Sequence, residues 1–112
     1  VRGVIAGGTG SHPAQILTDV IDYVNIGSLG NAVSFGNLTR SKRLLAGASS
    51  NIRMVIFNGA TTVPSPNASL LNEIDYLSIS TGGQAQDFGD TTGKDVLDPT
   101  ALSDSHGGLG GF

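Results

Sequence analysis

One passage of this chain occurs twice. Ile21-Asp22-Tyr23 opens a stretch that returns fifty-three residues later at Ile74-Asp75-Tyr76. In register, IDYVNIGSLGNAVSFGN and IDYLSISTGGQAQDFGD share the Ile, Asp and Tyr, a second Ile, a Gly, an Ala and a closing Phe-Gly pair. Upstream, RGVIAGG from Arg2 recurs as RMVIFNG from Arg53. A repeat of about fifty residues marks stacked supersecondary units, none of which buries its apolar face alone. It constrains the architecture before any motif is read, and it counts against a lone catalytic centre.

A chain of 112 residues makes one small domain. The repeats divide it at about 2–52 and 53–105, with a partial strand over 106–112. Two units are fewer than the roughly three that such arrays need. The expectation is therefore a portion of a longer array, or copies that complete one another. Val1 in place of an initiator Met points to processing or truncation. A net charge of −3 argues against general nucleic-acid binding, which needs a basic face to release counterions. No apolar run is long enough to span a bilayer, and no leader peptide is expected. Without cysteine, disulfides and thiolate metal sites are excluded. Abundant Gly, with Ser, Thr and Asn between short apolar runs, is turn-rich all-β composition.

β-Branched runs bounded by Gly, Pro, Asn, Asp or Ser predict strands over 3–6, 21–26, 32–35, 43–48, 53–57, 74–79, 85–88 and 101–103. In IDYVNI, Ile21 and Tyr23 alternate with Asp22, Val24 and Ile26, a pattern suited to a strand covered on both sides. Residues 13–24 place Ile16, Leu17, Val20, Ile21 and Val24 at helical spacing behind Ser11 and Pro13. The aligned segment of the second repeat holds Pro64 and Pro66 and is poor helix, so a loop followed by a strand is predicted in both. Gly36 and Gly89 are expected to supply a positive φ in tight turns. Asn58-Gly59 takes the place of Gly7-Gly8, Asn being the next best residue for that conformation.

The succession LLAGASS, NIRMVIFNG, a variable loop, EIDYLSIS and QAQDFGD resembles kelch-type repeats. The usual Trp is missing, and Phe35 and Phe88 stand about where it would be. The wording IDYxxI…TGxAxDFGD, followed by ALSDSHGGL, is similar to repeats in structural proteins of tailed bacteriophages, especially those of marine cyanobacteria. The resemblance implies two four-stranded blades of a β-propeller, with residues 101–103 the small-residue strand that belongs beside Arg2. Since two blades cannot close a ring, it implies completion by a longer parent chain or by other copies, three copies giving six blades in a head-to-tail ring. Opposite charge clusters agree with such contacts: Arg40, Lys42 and Arg43 in the first half, Asp87, Asp90, Asp95, Asp98 and Asp104 in the second. The tail from His106 to Phe112 echoes the start of a third unit.

Motifs for chemistry are weak. GGTGSH (Gly7 to His12) follows an apolar strand, but it lacks the last glycine of a dinucleotide-binding turn and runs into Pro13. No Walker lysine is present. Asp87, Asp90, Asp95 and Asp98 are close in sequence without the spacing of a calcium loop, and solvated carboxylates are the favoured reading. His12 and His106 stand in Gly-rich segments away from ligand or triad spacing. Tyr23 with Phe35, and Tyr76 with Phe88, recur as blade packing would require. Asn67-Ala68-Ser69 matches a glycosylation sequon, a triplet common by chance.

No catalytic, cofactor-binding or metal-ligating residue is assigned, and an enzyme is the least favoured class. The expected function is that of a structural or assembly protein in the tail, fibre or surface appendage of a phage particle. Its contact residues are expected in the loops 9–19 and 60–72, at Thr9, His12, Gln15, Thr61, Pro64, Pro66 and Asn67. Expected partners are copies of itself, other virion proteins or a host-surface glycan, without nucleic acid or membrane insertion. The alternative is a small carbohydrate-binding propeller.

Overall fold

The computed structural model describes residues 1–10, 16–61, 69–93 and 98–103. These residues form nine strands and no helix, so the chain is all-β. The strands are β1 (Arg2–Ala6), β2 (Thr9–Gly10), β3 (Ile16–Leu17), β4 (Val20–Asn25), β5 (Val33–Asn37), β6 (Ala46–Ser49), β7 (Arg53–Phe57), β8 (Glu73–Ser78) and β9 (Gln86–Asp90). They make antiparallel sheets of order β1-β4-β5, β2-β3 and β6-β7-β8-β9, none closed into a barrel.

The repeat in sequence is a repeat in register. β1 pairs β4 from Arg2↔Asn25 to Ala6↔Ile21, and β7 pairs β8 from Arg53↔Ser78 to Phe57↔Ile74. Both central strands carry a bulge at the same place, between Ile21 and Asp22 and between Ile74 and Asp75. Gly7 and Asn58 adopt φ of 65° and 57°, and Gly8 and Gly59 follow at 115° and 118°. Asn thus takes a left-handed position that Gly holds in the first copy, as expected.

Several expectations are corrected. Only the second sheet has four strands; the first lacks a counterpart of β6. Residues 101–103 are not a strand. Leu102 is almost fully exposed, so no burial drives a ladder there, although the Ser103 hydroxyl donates to the Ser49 carbonyl. The strand expected over 43–48 starts at Ala46, because Leu44 at φ 56° breaks the extended run and leaves Arg43 in an isolated bridge with Ala60. The strand expected after the first loop is present over 20–25, and Ile16 and Leu17 are extended as well, so pairing with neighbours overrides the helical spacing of that segment, as predicted.

Alternation along the strands gives each repeat two faces. In the first repeat Val4, Ala6, Ile21, Tyr23 and Phe35 point one way, and Ile5, Asp22 and Val24 the other. The core lies between unlike faces. Ile21, Phe35 and Leu38 of the first repeat pack with Ile56, Leu77 and Ala85 of the second, flanked by Val4, Ala6, Tyr23, Met54 and Ile79. Each fully buried aliphatic side chain contributes about 1.5–3 kcal/mol.

Backbone bonds continue across the same junction. Gly83 N donates to the Phe35 carbonyl at 3.0 Å, and Ala85 N to that of Asn37 at 2.8 Å. The approach explains Gly36, which is not at a positive φ as expected; a Cβ there would stand 2.0 Å from the Gly83 carbonyl oxygen. Gly89, its counterpart, does have a positive φ of 150° and meets nothing.

Gly36→Ala is therefore expected to lower stability by about 1–3 kcal/mol through overpacking. Gly93→Ala, in open space, should stay within about 0.5 kcal/mol. Denaturant midpoints of the two variants check this, and equal effects would refute the close-approach account.

Candidate functional site

The two variable loops rise from β-ribbon stems. In the first, Thr9 pairs Leu17 and Gly10 pairs Ile16, while Gly7 N donates to the Val20 carbonyl at 2.9 Å. In the second, Ala60 bridges Leu70, Thr61 N donates to Ser69 O at 3.0 Å and Leu71 N to Gly59 O at 2.8 Å. Both stems are held by one short segment. Gly8 N donates to the Lys42 carbonyl at 2.9 Å, and Arg43 exchanges bonds with Ala60 at 3.1 and 2.9 Å. Residues 42–43 therefore fix the bases of both loops beside each other. Gly7 and Gly59 permit this, since a Cβ would meet Lys42 O at 2.8 Å in one case and Arg43 O at 3.0 Å in the other.

Beneath the stems lies a buried charge pair. Lys42 is fully buried and its Nζ stands 2.6 Å from Asp75 Oδ2. The Thr39 hydroxyl lies 3.0 and 2.9 Å from the two Asp75 oxygens and donates to that carboxylate. Glu73 Oε2 is 3.7 Å from the same ammonium, and Glu73 Oε1 pairs with Arg40 at 2.6 Å. Arg40 and Lys42 of the basic cluster are thus engaged within the chain, tying the segment after β5 to the central strand β8. That corrects its reading as an intermolecular patch: Arg40 and Lys42 are neutralised locally by Glu73 and Asp75.

Each repeat also carries a stacked triad. The Arg2 guanidinium lies 4.5 Å from the Tyr23 ring centroid, and Tyr23 meets Phe35 edge-to-face at 5.9 Å. Arg53, Tyr76 and Phe88 repeat it at 5.0 and 5.9 Å. Such contacts add about 0.5–1.5 kcal/mol each. Beside the tyrosines are clefts at equivalent positions. One is lined by Tyr23, Asn25, Ser28 and Asn31, the other by Tyr76, Ser78, Thr81 and Gln86.

Of the loop residues singled out in the sequence, Thr9 is exposed in β2 and Thr61 is half-buried at the second stem. His12, Gln15, Pro64, Pro66 and Asn67 lie outside the described residues, as do His106 and Asp95. Asp87 and Asp90 line one cleft with Glu73 and Asp75, beside Arg40. Among the described residues no three His, Cys, Asp or Glu are grouped to hold a metal ion. Among them there is no helix long and apolar enough to cross a membrane. No family model and no curated protein matches the chain.

What sequence reasoning missed is the Lys42–Asp75 pair. A signal was present: Asp22 and Asp75 recur in mid-strand between apolar neighbours, where a carboxylate needs a partner if covered. Lys42→Met alone is expected to cost about 3–5 kcal/mol by stranding the Asp75 charge. Lys42→Met combined with Asp75→Leu should recover most of it. Urea unfolding of the single and double variants tests this; additive losses would rule out the pairing.

Proposed function

We propose that this chain is a non-enzymatic assembly protein whose kelch-like repeats act as propeller blades in a phage particle, in its tail, fibre or surface appendage. The observation that carries the assembly reading is the junction between repeats. Unlike faces meet over an apolar core, backbone bonds cross from residues 35 and 37 to 83 and 85, and Arg2 Nη1 donates to Ile79 O at 2.8 Å. A unit that docks on its successor in this way is suited to stacking. Residues 42–43 set the bases of the two variable loops beside each other, and these loops are the proposed contacts with a partner or host surface. The virion setting rests on the resemblance of IDYxxI…TGxAxDFGD to repeats of tailed-phage structural proteins.

The equivalent clefts beside Tyr23 and Tyr76 favour one second reading, a shallow carbohydrate-binding protein with one subsite per repeat. Avid, repeated-site binding on a glycan array would select it over the assembly reading.

Peptides of this chain are expected in density-purified particles from the source culture, in step with the major tail proteins. Mass spectrometry of those particles decides the setting. Its presence only in the unassembled fraction would remove the virion assignment.

A further inference from the structure

The chain carries both halves of the junction a second time, each partly exposed. The half that accepts the first repeat is made by Ile56, Asp75, Leu77 and Ala85 of the second repeat, all buried. By register their counterparts in the first repeat are Ile5, Asp22, Val24 and Ala32. Ile5 is 59% exposed where Ile56 is 0%, and Ala32 is exposed where Ala85 is buried. The docking half is made by Ile21, Tyr23 and Phe35 of the first repeat, with counterparts Ile74, Tyr76 and Phe88. Phe88 is 56% exposed where Phe35 is 7%.

Conformation matches as well as residue type. Both triads stand with the same edge-to-face geometry, so the uncovered docking face is already arranged as the covered one is. The strand end that Arg2 reaches is also duplicated: Ile79 N donates to Ile52 O at 3.0 Å, and Ile26 N to Val1 O at 3.1 Å. Arg53 is exposed and stacked on Tyr76 as Arg2 is on Tyr23.

We propose that a second copy of this chain docks head-to-tail, the Arg53–Tyr76–Phe88 face of one copy seating on the Ile5–Asp22–Val24 face of the next. The operator is the one that relates the two repeats, so Phe88 enters the site that Phe35 occupies within the chain, and Arg53 reaches the Ile26 carbonyl as Arg2 reaches that of Ile79. The contact is heterologous, with each copy using a different surface on either side. Its chemistry suits this occupant because equivalent residues, Ile21, Tyr23 and Phe35 on one half and Ile56, Leu77 and Ala85 on the other, already form a packed interface inside the chain. The inference rests on the assembly part of the functional reading and not on the virion setting.

The test is native mass spectrometry of the full chain, with Ile5→Asp, Phe88→Asp and a 1:1 mixture of the two. The wild type is expected to form discrete oligomers. Each variant alone should weaken self-association at least about tenfold, as loss of a central anchor does, and run as a monomer. The mixture should give a 1:1 dimer, since one variant retains the docking face and the other the accepting face. A folded monomeric wild type overturns the proposal. Oligomers that survive in both variants overturn the face assignment while leaving assembly intact, and a mixture that stays monomeric overturns head-to-tail pairing. Far-UV circular dichroism checks the fold of each variant, and Arg53→Glu, which keeps the accepting face, provides a second docking-face variant to mix with Ile5→Asp. Detection of the chain in particles is independent of all these outcomes, so failure of the virion reading is distinguishable.

Discussion

The contact between unlike faces of the two repeats is the constraint on which the rest of the structure depends. Neither three- nor four-stranded sheet is covered on both sides by its own repeat, and a single layer cannot bury enough apolar surface to offset the entropy of ordering it. Packing Ile21 and Phe35 on Ile56 and Leu77 produces the shared core. The same contact brings β5 beside residues 83–85, so its edge is hydrogen-bonded by the neighbouring repeat. Gly36 follows from that approach: without it, the strand edge and the Gly83 carbonyl could not come together.

Charge has a secondary but specific part in this junction. A buried ammonium beside a carboxylate is costly to desolvate and is weak evidence for net stability. Its effect is positional. Lys42 reaches Asp75 from the segment that also bonds Gly8 through its carbonyl, and Arg43 beside it bridges Ala60. One ion pair therefore couples three things: the docking of the repeats, the path after β5 and the bases of both variable loops. Apolar side chains alone would hold the sheets together with less constraint on how the segment lies across them.

The strands of the repeated wording were legible because their signal is local. VIDYVN and EIDYLS are β-branched, bounded by turn residues and confirmed by one another, and alignment of the copies overruled the helical spacing of residues 13–24. The double-glycine positions were legible for the same reason, as Asn58 at φ 57° shows. What escaped depends on distant partners. Leu44 in the left-handed region has no local cause in sequence, and it moves the start of β6. Gly36 and Gly89 look alike in sequence, yet one is required by an approaching backbone and the other by its own φ. Arg40 and Lys42 were read as a surface patch, because nothing in a linear string says that Glu73 and Asp75 lie across from them.

Identical wording does not give identical junctions, and the departures set an order among the contacts. Leu38 N donates to the Asp19 carbonyl at 2.7 Å, and Thr91 N donates to that of Asn72 at the same distance, so the backbone after β5 and β9 follows one path. The side chains differ. Leu38 is buried in the core between the repeats, whereas the Thr91 hydroxyl lies 3.0 Å from Asn58 Oδ1 and 2.9 Å from Gly93 O and donates to one of these acceptors. The second docking face therefore lacks one aliphatic anchor that the first one has, a difference of about 1.5–3 kcal/mol in burial. The accepting faces differ in the same direction, with Val24 where the second repeat has the larger Leu77. Proximity along the chain adds to the internal contact, since its halves are already tethered. The internal junction is thus the stronger of the two by composition and by connectivity. Any contact between copies is built on a repeat pair that has already formed.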